Sequence, residues 1–326
     1  MKFVRSAFKL LLAAAVAAGS AGAFAQASDY PSRTVTIIVP FAAGGPADIY
    51  ARFMAQRLGA EFKQAFVVDD KPGAGSVIGT SVVQKAAPDG YTLLLMSNTH
   101  TVNETLMTNK PFKLMNDFVG IAPLNYSDLM LVVNPSVQAR TLGELIKYAK
   151  AHPGRLNYAS SGTGTPYHMA GELFKHMAGV AITHIPYKGS SGARTDVVGG
   201  QVDMMFDAVT TMAQMARDGK VRALATSGAT RNSITPNVPT VSEAGVKGYE
   251  ATIWLGLMAP HGTPPAVVEK LNAAVRKIIA QPDVKAAWLQ QGAVPMSMSV
   301  PEFDRYLKAD IAKWATIVKV SGAKPD

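Results

Sequence analysis

A glycine-rich loop in the first part of the chain has the composition of an anion-binding site. The segment Pro40-Phe41-Ala42-Ala43-Gly44-Gly45-Pro46-Ala47-Asp48 lies between an apolar run and a helical pattern. Gly44 and Gly45 can adopt positive φ, and Pro46 suits the first turn of a helix. Such a loop directs several backbone N–H groups at one point, with the positive end of the helix dipole behind them. It predicts an anion site, although an ordinary tight turn between a strand and a helix has the same local sequence.

A second loop of the same type occurs later in the chain. The segment Ser160-Ser161-Gly162-Thr163-Gly164-Thr165-Pro166 again stands between a predicted strand and a predicted helix. Its four hydroxyl groups add side-chain donors and acceptors to the backbone amides, which suits an oxygen-rich ligand. His168 lies in the first turn of the helix, where it is either a ligand contact or a structural residue. The two loops together predict a site for the anionic or polar ends of a small molecule.

Two further glycine-rich segments resemble cofactor or catalytic motifs without matching them. Lys71-Pro72-Gly73-Ala74-Gly75-Ser76-Val77-Ile78-Gly79 is close to the dinucleotide-binding pattern. Its last interval is one residue too long, and it follows the second strand instead of the first. We interpret it as a helix-start turn near a cleft. Pro186-Tyr187-Lys188-Gly189-Ser190-Ser191-Gly192-Ala193 is close to a nucleophile elbow, but Ala193 replaces the final glycine.

A secreted serine hydrolase that uses Ser191 or Ser161 is the enzymatic alternative. That reaction needs a histidine base and an acid later in the chain, and His261 is the only histidine after Ser191. Lys188 is either a cation of the cleft or a solvated lysine. The six histidines form no zinc-binding spacing such as H-E-x-x-H. We therefore predict no enzymatic activity, no metal and no cofactor.

These loops require strands and helices that hold them at the edge of a sheet. Short β-rich runs alternate with helical stretches, which predicts parallel sheets covered by helices on both faces. Predicted strands cover residues 35–39, 66–68, 91–96, 129–133, 157–159, 181–186, 204–207 and 221–226, and predicted helices cover 48–58, 76–85, 142–151, 167–178, 193–198, 264–279, 283–291 and 301–320. We predict an α/β fold of two lobes joined by a hinge of short crossing segments. Residues 26–125 and 250–326 form the first lobe, and residues 126–249 form the second.

The first 25 residues have the three parts of a secretory signal peptide. Lys2, Arg5 and Lys9 precede an apolar run from Leu10 to Ala18, and Ala23-Phe24-Ala25 supplies the cleavage site. The apolar run is shorter than the roughly 20 residues that a membrane-spanning helix needs. Cleavage at this site predicts a periplasmic protein.

Charge and composition narrow the class of partner. The formal net charge is +9, of which the predicted signal peptide supplies +3, and the sequence contains no Cys. A mild positive excess suits an anionic partner. The Lys and Arg residues are dispersed, however, and form no patch of the kind that binds nucleic acid. The absence of Cys excludes disulfides, thiolate metal sites and a Cys nucleophile.

The sequence resembles the Bug family of tripartite tricarboxylate transporter receptors. The resemblance rests on segments that occur in order along nearly the whole chain after the signal peptide: Tyr30-Pro31-Ser32-Arg33, Val39-Pro40-Phe41-Ala42-Ala43-Gly44-Gly45, Asp70-Lys71-Pro72-Gly73-Ala74-Gly75, Pro88-Asp89-Gly90-Tyr91-Thr92-Leu93, Tyr158-Ala159-Ser160-Ser161-Gly162, Pro186-Tyr187-Lys188-Gly189 and Val238-Pro239-Thr240-Val241-Ser242-Glu243-Ala244-Gly245. It implies a type II periplasmic-binding-protein fold of two Rossmann-like lobes, with the ligand cleft between them. It also implies a carboxylate ligand that is delivered to the membrane subunits of a transporter. Such ligands are di- or tricarboxylates, acidic amino acids or aromatic acids.

The resemblance further implies which residues bind the ligand. They are Phe41, Ala43, Gly44, Gly45, Pro46, Ala47, Asp48, Gly75, Ser76, Ser97, Asn98, Ser160, Ser161, Gly162, Thr163, Gly164, Thr165, His168, Lys188, Gly189 and Asp207. In this family, backbone amides and ordered water hold the carboxylate, which agrees with the prediction from the two helix starts. We expect a monomer that closes over its ligand. A sensory module that signals to a receptor kinase would use the same clamp, so the sequence leaves this alternative open.

Overall fold

A computed structural model describes residues 30–321, 323 and 324 of the chain. The predicted signal peptide, residues 1–25, lies outside the described residues. None of the helices within the described part is long and apolar enough to cross a membrane.

Strands and helices alternate along most of the chain. The strands are β1 Val35–Val39, β2 Phe66–Asp70, β3 Thr92–Ser97, β4 Phe118–Val133, β5 Asn157–Ser160, β6 Thr183–Pro186, β7 Met204–Ala208, β8 Arg222–Thr226, β9 Thr252–Pro260 and β10 Ala293–Pro295. The helices are α1 Pro46–Phe62, α2 Val77–Gln84, α3 Asn98–Leu106, α4 Leu114–Asp117, α5 Leu142–Ala151, α6 Pro166–Ala178, α7 Ser190–Val198, α8 Val209–Arg217, α9 Pro265–Ala280, α10 Pro282–Leu289 and α11 Val300–Ser321, with a 3-10 turn at Ala74–Ser76 before α2.

The strands form a mixed sheet with two parallel ends. Along the hydrogen-bonded path the order is β2-β1-β3-β9-β4-β7-β5-β6, and both β8 and β10 also pair with β4. At one end β1 is parallel to β2 and β3. At the other end β5 is parallel to β6 and β7. Each parallel end is built from strand–helix–strand units, as the alternating pattern predicts.

The prediction of purely parallel sheets is wrong at the centre, where the two ends join. Strand β9 is antiparallel to both β3 and β4, and β4 is antiparallel to β7 and β8. The reason is topological: the chain passes from the first lobe to the second along β4 and returns along β9, so the two strands must run in opposite directions. The predicted boundary near residue 126 falls inside β4.

The core of the first lobe is assembled from both ends of the chain. Trp288 of α10 is fully buried. Its ring centroid lies 5.4 Å from that of Tyr50 and 5.6 Å from that of Phe53, both on α1. Val275 and Leu271 of α9 belong to the same buried cluster. Truncation of a buried tryptophan typically costs about 3–5 kcal/mol, so the C-terminal helices are needed to stabilise the first lobe.

The core of the second lobe is centred on three aromatic rings. The ring centroids of Phe206 and Tyr249 are 5.9 Å apart, and those of Phe174 and Phe206 are 6.0 Å apart. All three side chains are fully buried. The Tyr249 hydroxyl donates to the carbonyl of Ala170 at 2.8 Å, which satisfies the only polar group of the cluster.

Helix α11 contacts both lobes on the outside of the molecule. Its Trp314 and Val318 form a small buried cluster with Val102 of α3 and Met169 of α6. Asp310 of the same helix accepts hydrogen bonds from Thr101 and from the Trp254 indole. The C-terminal helix therefore links the helices that start at the two halves of the cleft.

Candidate functional site

The two glycine-rich loops meet at a small cavity between the lobes. The first loop joins β1 to α1, and the second joins β5 to α6. Both contribute to a cavity of about 20 Å³, lined by Phe41, Ala42, Gly45, Pro46, Ala47, Ser97, Thr99, Ser161, Pro166, Tyr167, Ser190, Ile253 and Leu255. A volume of this size holds about one water molecule. The lobes are therefore in close contact around the point at which both helix starts converge.

A larger open cleft lies next to this cavity and shares Phe41 and Ser161 with it. Its volume is about 580 Å³, and its walls are Pro40, Phe41, Gly73, Ala74, Gly75, Ser76, Val77, Met107, Thr108, Asn109, Lys110, Pro111, Ser161, Gly162, Thr163, Pro186, Tyr187 and Lys188. This is the size of a small-molecule site. The cleft mixes apolar walls with hydroxyl groups and two lysines.

The first loop has little side-chain support of its own. Gly45 is the N-cap of α1 and supplies no side-chain cap, and Pro46 occupies the first turn. The Gly44 amide donates to Asp48 Oδ2 at 2.8 Å, and Asp48 Oδ1 lies 2.5 Å from Arg52. Asp48 is buried and lines neither cavity, so its carboxylate stabilises the turn. The first-turn amide of Ala47 has no partner within the helix and is available to an anion.

Two side chains of the second lobe contact the carbonyl groups of this first loop. Ser191 Oγ donates to the Ala43 carbonyl at 2.7 Å. Arg194 donates to the Gly44 carbonyl at 2.8 Å. Gly189 is also close to this loop, because a Cβ atom at Gly189 would lie only 2.4 Å from the Ala42 Cβ. The conformation of the first loop thus depends on contacts that cross the cleft.

The second loop is closed by its own hydroxyl groups. Ser160 Oγ accepts from the Gly162 amide at 3.1 Å and is 2.7 Å from His184 Nε2. Thr165 Oγ1 donates to the Gly162 carbonyl at 2.7 Å and caps α6 by accepting from the His168 amide. Ser160 and Thr165 line neither cavity, so they shape the loop from behind.

His168 also lies behind the second loop. Its Nδ1 accepts from the Gly164 amide at 3.1 Å, its ring stacks on His184 with centroids 4.1 Å apart, and Nε2 is 3.9 Å from Glu172. The side chain is buried and lines neither cavity. Of the two interpretations that the sequence left open, the geometry agrees with the structural one.

Ser161 has the arrangement expected of a ligand-binding hydroxyl. It is 6% exposed, and its Oγ has no hydrogen-bond partner among the described residues. It lines both the small cavity and the open cleft. A buried hydroxyl without a partner costs stability, so a ligand or water that bonds to it recovers that cost.

The third strand of the first lobe supplies the floor of the small cavity. Ser97 is the N-cap of α3, and its amide donates to Nδ1 of His100 at 3.2 Å. Nε2 of His100 is 3.0 Å from Thr80 Oγ1. Burial lowers the pKa of His100 from 6.5 to about 4, so the ring is neutral at pH 7. Asn98 does not line either cavity; its Nδ2 donates to the Thr252 carbonyl at 2.9 Å.

The turn before α2 forms one wall of the open cleft through an unusual backbone. Residues 73–76 all have positive φ, and Ala74 at 46° and Ser76 at 79° are not glycines. A Cβ at Gly75 would lie 2.7 Å from the Thr163 carbonyl of the opposite lobe. Ser76 is buried, and its Oγ has no partner among the described residues. Left-handed backbone at non-glycine residues costs about 1–2 kcal/mol each, and such strain is concentrated at binding sites.

Asp207 is fully buried near the end of β7 and lines neither cavity. Its Oδ1 accepts from the Ala208 amide at 2.8 Å, and Oδ2 is 3.6 Å from Arg194. Burial raises the pKa of Asp207 from 3.8 to about 6, although Arg194 opposes the shift. The remaining predicted residues differ in position: Lys188 is exposed at the cleft, while Gly164 and Gly189 are buried behind the loops.

Several residues of the site were not predicted from the sequence. Tyr167, Ile253 and Leu255 line the small cavity, and residues 107–111 form part of the wall of the open cleft. Tyr167 is the first residue of the predicted helix and could have been included on that ground. The other residues belong to an apolar run and an irregular segment, whose local sequence carries no signal for binding.

The geometry gives no support to the serine-hydrolase alternative. Ser191 donates its hydroxyl hydrogen to a backbone carbonyl, and Ser161 has no histidine partner. Ser160 does pair with His184, but Ser160 is fully buried and lines neither cavity. Within the described part of the chain, no group of three or more His, Asp or Glu side chains is placed to hold a metal ion.

Comparison with known proteins identifies the family. Residues 50–323 match the tripartite tricarboxylate transporter family receptor, TctC. The UPF0065 protein in the tcbD-tcbE intergenic region of Pseudomonas sp. (strain P51) is 38% identical over 313 residues, covering 95% of this chain and 93% of that protein. Protein BugT of Bordetella pertussis is 36% identical over 311 residues, covering 95% of each chain. This chain belongs to the TctC receptor family. The predicted resemblance to Bug-type receptors is confirmed, and as a TctC receptor the protein is a binding protein and not an enzyme.

Solved structures confirm the predicted fold class of this TctC receptor. R. palustris Rpa4515 with adipate has a TM-score of 0.89 at 34% identity, covering 91% of this chain and 100% of that one. The periplasmic binding protein BugD has a TM-score of 0.86 at 34% identity, covering 90% and 99%. MatC (Rpa3494) from Rhodopseudomonas palustris with bound malate has a TM-score of 0.84 at 32% identity, covering 89% and 100%. The fold is therefore that of a periplasmic binding protein.

Proposed function

We propose that this TctC receptor captures a small carboxylate outside the cytoplasm and delivers it to a tripartite tricarboxylate-type transporter. The observation that carries the proposal is the meeting of two helix starts at one small cavity, beside the unpartnered hydroxyl of Ser161. Helix starts favour anions because their first amides lack partners and lie at the positive end of the dipole. The relatives with adipate and with bound malate support the same ligand class.

The ligand would occupy both parts of the cleft. One carboxylate would accept hydrogen bonds from backbone amides at Gly45 and Ala47 and from Ser161 at the small cavity. The rest of the molecule would extend into the cleft of about 580 Å³. Lys188 is exposed at that cleft and suits a second negative charge. Lys110 is less available because it lies 3.0 Å from Glu104. A dicarboxylate fits this arrangement of a closed anion site and an outer cation.

Ligand entry requires the lobes to separate. A cavity of about 20 Å³ is too small for a four-carbon diacid, so the ligand must bind an open form that then closes. The hinge would lie where β4 and β9 cross between the two lobes. The first lobe comprises residues 26–125 and 250–326, and the second comprises residues 126–249. Closure excludes water and strengthens the hydrogen bonds to the carboxylate. The N-terminal signal peptide would place the receptor in the periplasm, where it would act as a monomer.

A thermal-shift screen tests the proposal. The mature protein is heated with adipate, malate, citrate, glutamate and benzoate, with glucose and spermidine as neutral and cationic controls. A ligand at one hundred times its dissociation constant adds about 2.7 kcal/mol, which raises the melting temperature by about 5 °C for a chain of this size. The expected result is a shift with at least one carboxylate. A shift with glucose or spermidine and none with any acid would contradict the proposal.

A further inference from the structure

Arg194 of α7 is a buried cation placed behind the first ligand loop. Its side chain belongs to the second lobe and is 7% exposed. The guanidinium donates to the Gly44 carbonyl at 2.8 Å and to Ser191 Oγ at 3.3 Å. Ser191 in turn donates to the Ala43 carbonyl at 2.7 Å. Two successive carbonyls of the first loop are thus held by one helix of the opposite lobe.

The geometry of the peptide bond gives this contact a consequence for binding. The Gly44 carbonyl and the Gly45 amide belong to one planar trans peptide, so they point in opposite directions. A donor that fixes the carbonyl therefore also fixes the direction of the Gly45 N–H. Gly45 lines the small cavity, whereas Arg194 does not. Arg194 lies behind the peptide whose amide faces the anion site.

The contacts of the Arg194 guanidinium differ in length. The nearest carboxylate, Asp207, is 3.6 Å away. The shorter contacts go to a neutral carbonyl at 2.8 Å and to a hydroxyl at 3.3 Å. A charged donor polarises the peptide that accepts from it, which strengthens the hydrogen bond that the Gly45 amide can donate.

We propose that Arg194 is a positioning residue that orients the Gly44–Gly45 peptide for the ligand carboxylate only when the lobes are together. This inference rests on the proposed carboxylate function. Because the contact crosses the cleft, it is lost on opening and restored on closing. Arg194 therefore stabilises the closed, liganded form and slows the release of the ligand, while the open form that the ligand first meets lacks the contact.

The test compares Arg194→Met with wild-type protein, using adipate and malate as ligands. Methionine keeps the packing of the side-chain stem but removes the donors and the charge. We expect about tenfold weaker binding by calorimetry, equivalent to about 1.4 kcal/mol. Stopped-flow measurements should assign the loss to faster dissociation, with the association rate nearly unchanged. Arg194→Lys should recover part of the affinity because it restores a charged donor.

Two further variants separate positioning from a structural role. Arg222→Met is the matched control, since Arg222 donates to the carbonyls of Val137 and Ala139 within the second lobe at 2.7 and 3.1 Å. It should bind normally. The single variant Arg194→Met leaves the Asp207 carboxylate buried without its cation. The double variant Arg194→Met/Asp207→Asn removes that charge as well, and it should show the same tenfold loss of affinity. Wild-type affinity in either Arg194→Met or this double variant would overturn the inference.

Small-angle scattering of the ligand-free proteins gives a readout that does not depend on the ligand. Arg194→Met should have a larger average radius of gyration than wild type, because the ligand-free protein exchanges between open and closed forms and the closed form loses a contact between the lobes. If wild-type protein binds none of the acids, the proposed function fails, and scattering then tests separately whether Arg194 stabilises the closed form. An unchanged radius of gyration in that case would overturn it.

Discussion

The two glycine-rich loops of the candidate site resemble each other in sequence but are stabilised in different ways. The second loop is closed from within its own lobe by Ser160, Thr165 and His168, which bond to its amides and carbonyls. The first loop has one such hydrogen bond from within its own lobe, from the Gly44 amide to the Asp48 carboxylate. Its carbonyls are held from the other lobe. The second loop is therefore a preformed half of the site, and the first loop is completed by closure.

This difference assigns separate roles to the two halves. A preformed loop can hold an anion in the open protein, because its amides already have their final directions. A loop that closure completes adds its contacts only afterwards, and it makes affinity depend on how closely the lobes approach. Changes at the contact between lobes should therefore alter ligand binding, while changes to the residues that close the second loop from behind should alter the stability of the fold.

The largest effect is expected for Gly189→Val, which prevents close approach of the lobes. A Cβ at this position would lie 2.4 Å from the Ala42 Cβ, and valine adds two methyl groups. We expect about a thousandfold weaker carboxylate binding, about 4 kcal/mol, by calorimetry. Stability should be almost unchanged, since the φ of 163° at Gly189 is ordinary extended backbone. Gly192→Ala, in the first turn of α7, is the control, because its Cβ would make an ordinary contact at 3.4 Å. Tight binding by Gly189→Val would show that the first loop does not need the opposite lobe.

A smaller effect, on stability at low pH, is expected from His100. This residue takes part in the N-terminal cap of α3. The pKa of His100 is about 4 in the folded protein and 6.5 in the unfolded chain. Between these values the unfolded chain binds a proton that the folded protein does not, so stability falls as the pH falls from 6.5 to 4. The pKa difference corresponds to about 3 kcal/mol. His100→Gln keeps the capping hydrogen bond but does not titrate in this range.

Urea unfolding at pH 7 and pH 4 measures this contribution. The loss of unfolding free energy on acidification should be about 3 kcal/mol smaller in His100→Gln than in wild type. Asp207 acts in the opposite direction, because its raised pKa lets the folded protein bind the extra proton below about pH 6. Its contribution is common to both proteins and cancels in the difference. Equal acid sensitivity of the two proteins would contradict a buried neutral His100.

The third prediction compares the effect of a Gly→Ala substitution on stability in the two loops. Gly164 has a φ of +77°, and a Cβ there would lie 2.2 Å from Asn103 Oδ1. Gly164→Ala should lower the free energy of unfolding by about 1–2 kcal/mol from the left-handed backbone alone, because Asn103 belongs to the opposite lobe and its clash is relieved when the lobes separate. Gly45 has a φ of −86°, which alanine adopts readily, and Gly45→Ala should leave stability nearly unchanged. Denaturant midpoints measure both, and equal losses would remove the distinction between the loops.

Much of the fold could be predicted from local patterns. Helix α5 has the predicted bounds of Leu142–Ala151, and α6 starts at Pro166, directly after its Thr165 cap. Residues 118–128 of β4 and all of β9 were not predicted as strands. They are paired with each other along most of their length. Such pairing is set by the path of the chain between the lobes, which no local pattern records.

Helices α3 and α8 were also not predicted. Asn98–Leu106 has three threonine or histidine residues in its first turn, and these have weak helical propensity. The helix is held instead by the Ser97 and His100 cap and by packing against α11. Val209–Arg217 begins without a capping side chain, so its sequence carries no start signal.

By itself, the sequence determined the positions of the two helix starts and the family, and it predicted the class of ligand. Glycine, proline and capping hydroxyl groups act on their immediate neighbours, so their effect can be predicted from adjacent residues. Only the tertiary structure decided which groups complete each loop. Arg194 reaches Gly44 across 150 positions of sequence, and Tyr167, Ile253 and Leu255 meet the loops from separate elements. Those contacts exist because the lobes approach one another, and the energy of that approach is distributed over residues that are distant in the chain.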